Sequence, residues 1–218
     1  MEILQSIIGS TMHALNTPTS DIDTRTIVVS PLREMLDPFT DRKIRSHQTD
    51  GDDNVVYELQ SFLKLLAKGS PSVIDIVYSP YATATSQIGR EFFINRNKFI
   101  DKTAAVRALS GYADTMLSNA EKGVRPFKSL RSVVLTAEVV YTCLVDGNYN
   151  PLTSDTRHAI LDIQGKEREL DRLLQELLVP LVLRVEATEY TNHFDLEYVK
   201  DFCLAAYQRE DKLIDNDR

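Results

Sequence analysis

Three observations predict an α+β fold, a small mixed-sheet head followed by a helical bundle. Short β-branched runs punctuated by Gly and Pro crowd into the first third of the chain. Leucine and valine stripes at helical spacing fill the second half. No segment repeats and none is of low complexity, so neither a solenoid nor a tail competes with a packed core. The border is expected near residue 100, with a head over 1–100 and a helical domain over 101–218.

The elements follow in order. ILQSII is apolar and stopped by Gly9, which reads as a first strand. TRTIVV, ended by Ser30-Pro31, reads as a second strand. From Pro31 to Asn54 the text is polar, with Asp37-Pro38 and the acidic run DGDD, and reads as a long, mobile connection. VVYELQSFLKLLAKG puts Val56, Leu59, Phe62, Leu63 and Leu66 on one helical face and closes with Gly69 as a cap. SPSVIDIVYSP, bounded by prolines, reads as a third strand, parallel to the second through a right-handed crossover. In PFKSLRSVVLTAEVVYTCLVDG, Leu130, Val133, Val134, Ala137, Tyr141 and Leu144 form a stripe ended by Asp146-Gly147. GKERELDRLLQELL repeats the device with Leu170, Leu173, Leu174, Leu177 and Leu178. A last helix, near Asp195 to Ile214, carries Leu196, Val199, Phe202, Cys203 and Tyr207.

The 218 residues are 43% apolar and 26% charged, too apolar for disorder, and carry a net charge of −7. That balance argues against a protein that coats nucleic acid without specificity. No apolar run approaches a membrane span, and MEILQSIIGS has an acid where a signal peptide carries basic residues. The expectation is a cytoplasmic protein that makes no membrane contact. Cys143 and Cys203 fall in apolar helical text and read as buried free thiols. The four histidines have no zinc-type spacing. Charge is uneven: from Arg90 to Arg131 there are nine basic residues against four acids. Such a band is either the electrostatic half of an anion-binding cleft or a solvated helix surface.

The chemistry gathers around GSTMHALNTPTSDIDTRTIVV, residues 9–29. Asp21 and Asp23 are two apart at the mouth of a strand, so their side chains share a face. Two carboxylates that close both stay ionised only with positive charge between them, and a divalent metal is the usual source. Gly9-Ser10 ends the first strand, where bare backbone can turn its N–H groups to a phosphate. Asp75 stands between Ile74 and Ile76 in an apolar run, and an acid there is costly without a partner. Three acids beside a phosphate-binding turn describe a two-metal phosphoryl-transfer site.

At these residues the chain resembles the DNA polymerase β-like nucleotidyltransferase superfamily. The pattern is Gly9-Ser10, nine residues, Ser20, then Asp21-Ile22-Asp23, the helix VVYELQSFLKLLAKG and the strand VIDIV with a third acid. YELQSFLKLLAKGSP followed by an acid and YSP is similar to one branch, the RNA-repair (RNA-ligase-associated) nucleotidyltransferases. FKSLRSVVLTAEVVYTCLVDGNYNPL is similar to that branch's helical region. The resemblance implies a head that is a nucleotidyltransferase catalytic domain, with Asp21, Asp23 and Asp75 holding Mg²⁺ (or Mn²⁺). It assigns Gly9 and Ser10 to the nucleotide phosphates and gives Asp75 the further task of deprotonating the acceptor hydroxyl. It implies an NTP as donor and an RNA end as acceptor. Lys128 and Arg131 lie on the polar side of an apolar helix, where they are either solvated or face the cleft as acceptor-binding residues. The chain departs from the pattern at His13 and Ala14, where many members have a basic residue and Gly. It departs again at Asp75, where the branch often has Glu, with Glu58 as the reserve acid. Two alternatives remain: the same fold acting on a protein or small-molecule acceptor, and a nucleotide-binding protein without catalysis.

Overall fold

The computed structural model describes residues 1–39, 45–49, 52–145, 154–163 and 170–216. It is the expected α+β arrangement, a mixed sheet at the N-terminal end followed by helices. Strands β1 (Glu2–Ile8) and β2 (Asp23–Val28) pair antiparallel, separated by a single helical turn, α1 (Gly9–Met12). A short helix α2 (Leu32–Leu36) leads to a hairpin of β3 (Arg45–Thr49) and β4 (Asp52–Glu58). β4 returns parallel to β2, and β5 (Thr83–Ala84) edges β1, giving the order β3-β4-β2-β1-β5.

Three expectations are corrected. The stretch from Pro31 to Asn54 is not a bare connection, because it holds α2, β3 and the start of β4. Thr49 pairs with Asp52, and the two residues between them lie outside the described residues. Second, VVYE is the end of a strand, and the helix α3 (Leu59–Ala67) starts only at Leu59. Glu58 marks the change, accepting a hydrogen bond from the Gln60 backbone N–H at 2.8 Å as the N-cap of α3. The helical part of the predicted face is right, with Leu59, Phe62, Leu63 and Leu66 all buried. Third, SVIDIV is not a strand but a helix, α4 (Pro71–Tyr78). Pro71 sits in its first turn, where a missing N–H costs nothing. Val73, Ile74, Ile76, Val77 and Tyr78 are buried, so this short helix is apolar nearly all round and shows no helical period. The strand parallel to β2 is therefore β4.

Gly69, expected to cap α3, does so with φ +65° just past the helix end. Helix α5 (Gln87–Ile94) and a 3₁₀ turn (Arg96–Lys98) lead to the long pair α6 (Lys102–Glu121) and α7 (Pro126–Leu144). On α7 the predicted stripe is buried at Leu130, Val133, Val134, Ala137 and Leu144, and it packs against α4 and α6. The expected stop at Asp146-Gly147 lies outside the described residues. Helix α8 (Ser154–Ile163) precedes α9 (Leu170–Arg172), a π-helical segment (Leu173–Leu178) and α10 (Val179–Ala187). Pro180 has no N–H for the turn below it, which accounts for the widened winding there.

The last helix, α11 (Leu196–Asn216), returns to the head. Phe202 packs on Phe92 and Phe99 with ring centroids 6.3 and 4.8 Å apart, and the Tyr207 hydroxyl donates to the Glu58 carboxylate. Val199, Phe202 and Tyr207 are buried, whereas Leu196 is exposed. Among the described residues neither Cys143 nor Cys203 is in a disulfide; the first is buried and the second partly accessible. Among the described residues, no helix is long and apolar enough to cross a membrane.

Candidate active site

The site forms where β1 ends. Gly9 takes φ +68°, and a Cβ there would fall on the Asp23 carboxylate, so two independent reasons require glycine. The chain then makes the α1 turn and passes through a hydroxyl-rich loop. Ser20 Oγ accepts from the Thr17 backbone N–H at 2.8 Å and bonds the Thr17 hydroxyl at 3.0 Å, which folds the loop before Asp21. Asp21 is exposed and Asp23 half-buried on the first residue of β2.

A cleft of about 410 Å³ opens over this junction. Its floor is Gly9, Ser10 and His13, one wall the loop through Thr17, Thr19 and Ser20, and the opposite wall the α7 residues Lys128, Arg131, Ser132, Leu135 and Thr136. Asp21, Asp23 and Asp75 all line it. Gly9, Ser10, Asp21, Asp23 and Asp75 thus reach one cleft, together with Lys128 and Arg131 from the other half of the chain. Asp75 arrives by a different route than expected, from the buried helix α4 rather than from a sheet strand. Glu58 does not arrive: it sits at the far end of β4, capping α3.

Electrostatics distinguish the acids. Asp75 remains partly accessible, but its Oδ1 is shut off from solvent and has no hydrogen-bond partner among the described residues. Burial pushes its carboxyl up to about 7, opposed by the positive charge of Arg25. Asp23 is also raised, first by burial and then by the charges of Asp53 and Asp21, while Arg25 and Lys128 pull it down. His13 is buried, and burial with the neighbouring Arg131 charge holds its imidazole down at about 4, so it is neutral near pH 7. Burial also lowers Arg131, a guanidinium poised over the Phe127 ring at 5.9 Å.

Two members of the neighbourhood were missed in the sequence. The β2–β4 register pairs Thr24 with Asn54 and Arg25 with Val55, so Asp23 and Asp53 head adjacent parallel strands. Arg25 joins them: Nη2 donates to the Asp53 carboxylate at 2.9 Å and Nη1 to its carbonyl at 2.6 Å. The signal for Asp53 was present, since DDNVVYE repeats the acids-then-β-branched grammar of DIDTRTIVV. Reading VVYE as helix concealed it.

The donors suit a hard divalent cation: carboxylate oxygens, one of them orphaned and buried, with the loop hydroxyls in the same cleft and no thiol among its lining. As they stand, no three His, Cys, Asp or Glu side chains among the described residues converge closely enough to hold a metal ion.

Comparison with known proteins adds the lineage. The chain is 25% identical over 177 residues to an uncharacterized 38.9 kDa protein of enterobacteria phage T4, from its nrdC-mobD intergenic region. The match covers 75% of this chain and 52% of the phage protein, so the chain spans about half the length of that relative. Residues 3–141, which contain the sheet, the cleft floor and the α7 wall, match the family model of the RNA repair pathway DNA polymerase β family. With the cleft residues and well over half of the chain accounted for by that match, the protein belongs to the RNA repair pathway DNA polymerase β family.

Proposed function

We propose that the protein is a divalent-metal-dependent nucleotidyltransferase that moves a nucleoside monophosphate from an NTP to the hydroxyl of an RNA end. The observation that carries this reading is the meeting of Gly9, Ser10, three carboxylates and two cations in one cleft of about 410 Å³. Asp21, Asp23 and Asp75 would hold Mg²⁺ or Mn²⁺, with Asp53 within reach of the same strand ends. When bound, the metal would neutralise the triphosphate and polarise the acceptor hydroxyl. The chain's own part is positioning and proton handling. Ser10 and the loop hydroxyls take the phosphate oxygens, while Lys128 and Arg131 face them from α7. The acceptor oxygen bonds to the α-phosphorus, the bond to the bridging oxygen breaks, and pyrophosphate leaves. The hydroxyl proton passes to the Asp75 carboxylate, which lines the same cleft. In this reading residues 1–100 form the catalytic domain and 101–218 the acceptor-facing helical domain.

The test is to incubate the protein with each α-³²P-labelled NTP, Mg²⁺ and RNAs of defined ends. Label is expected on RNA. Label on the protein itself or on a small molecule would move the acceptor, and no transfer with any NTP would sink the reading.

A second expectation concerns Lys128 and Arg131. If they bind RNA phosphates, Lys128→Ala and Arg131→Ala each weaken RNA binding irrespective of sequence. Each also lowers the slope of log affinity against log salt by about one. An unchanged slope in both would mean that they serve the triphosphate or solvent instead.

A further inference from the structure

Arg25 is the group in this neighbourhood to which nucleotidyl transfer assigns no task. It follows Asp23 by two positions, so both side chains leave β2 on one face. Only 12% of its side chain is exposed. Its donors are committed to the seam between β2 and β4: Nη1 donates to the carbonyls of Thr24 at 2.9 Å and Asp53 at 2.6 Å, and Nη2 to the Asp53 carboxylate at 2.9 Å. These bonds fix the guanidinium in place, unlike a surface lysine that can swing away. Its charge is felt at both Asp23 and Asp75, the two least solvated acids of the cleft.

A fixed cation there acts with opposite signs on two classes of ligand. A bare divalent cation is repelled, because part of the carboxylate charge that would attract it is already neutralised. A metal–triphosphate complex keeps net negative charge with its metal in place, so the same cation attracts it. We propose that Arg25 is a charge discriminator, a resident cation that disfavours bare divalent metal and favours the metal–triphosphate complex, so that metal enters the cleft together with its nucleotide. The Arg25–Asp53 ion pair is what holds the discriminator in position. The inference rests on the nucleotidyltransferase reading of the cleft.

Two probes test it without any turnover: Mn²⁺ alone, and Mn²⁺ with inorganic tripolyphosphate, which removes the unknown base from the measurement. Binding is followed by electron paramagnetic resonance of Mn²⁺ at fixed ionic strength. The wild-type chain should bind the complex more tightly than bare Mn²⁺, and the reverse order would overturn the inference without any variant. Arg25→Gln keeps a donor for the Asp53 carbonyl but removes the charge. It should bind bare Mn²⁺ about tenfold more tightly and the complex about tenfold more weakly. Arg25→Lys, which keeps the charge, should follow the wild type in both. If both constants move the same way in Arg25→Gln, the side chain merely braces the strands and the inference fails. It fails equally if Arg25→Lys behaves like Arg25→Gln. Wild-type protein that binds neither probe would overturn the nucleotidyltransferase reading itself, and this inference with it.

Discussion

Asp23→Asn is expected to lower nucleotidyl transfer about a thousandfold or more, a loss of roughly 4 kcal/mol of transition-state stabilisation. The fold should survive intact. Asp23 is half-buried, its carboxylate lies against Gly9, and burial with the Asp53 and Asp21 charges raises its proton affinity. An acid whose folded-state pKa is raised contributes stability that is lost as pH rises through that pKa. At neutral pH the ionised Asp23 is thus a liability to the empty fold, and the isosteric amide relieves it. Thermal melting of the apo protein should therefore hold level or rise, while stabilisation by Mn²⁺ fades. Transfer at the wild-type rate would remove Asp23 from the site. A collapsed melting transition would instead make it a structural residue.

Asp75→Asn should raise the stability of the apo protein, and by an amount that depends on pH. In the folded chain Asp75 is raised from 3.8 to about 7 by burial, with Arg25 opposing. The stability contributed by the protonated carboxyl is fully present below the unfolded value and is lost as pH rises toward 7. The variant has no such loss. The two proteins should melt alike below about pH 4 and diverge between pH 4 and 7. Above that the gap is constant, at most on the order of 4 kcal/mol, equivalent to about 10 °C in Tm. His13 adds a slope of the opposite sense to both proteins. Its imidazole is lowered from 6.5 to about 4, so its contribution is present above the unfolded value and lost as pH falls through that window. Comparing variant with wild type at each pH cancels the histidine. A difference between the two proteins that does not change from pH 4 to pH 8 would show that Asp75 is not the buried carboxyl described here. Transfer should be lost in Asp75→Asn as well.

Much of this site was legible because it rests on local grammar. Alternation in TRTIVV, the break at Gly9 and the two-residue spacing of Asp21 and Asp23 each need only a few neighbouring residues to be read. So does the α7 stripe, whose polar side carries Lys128 and Arg131. Errors arose where local grammar is silent. Val56, Leu59 and Leu63 keep a helical spacing although a strand ends at Glu58, because a strand entering a helix can share an apolar face with it. The text SVIDIV is rich in β-branched residues yet helical, since burial on nearly all sides overrides propensity. Arg25 and Asp53 are 28 positions apart, and only the parallel β2–β4 register brings them together. No periodicity announces a contact of that kind.

The widened winding at Leu173–Leu178 bears on how this chain can change in length. A π-helical turn holds one residue more than the α-helical turn it replaces, so it acts as stored slack in the chain. Deleting exposed Gln175 should let the segment rewind as α-helix while Leu178, Leu181 and Val185 keep facing the core. Deleting exposed Leu183 offers no such slack, and everything beyond it must rotate by about 100°. That turn carries Val185 out toward solvent and should lower the melting temperature, whereas the Gln175 deletion should leave it nearly unchanged. Insertions and deletions within the helical half are then expected to settle at this segment, where a change of one residue leaves the register of the core intact.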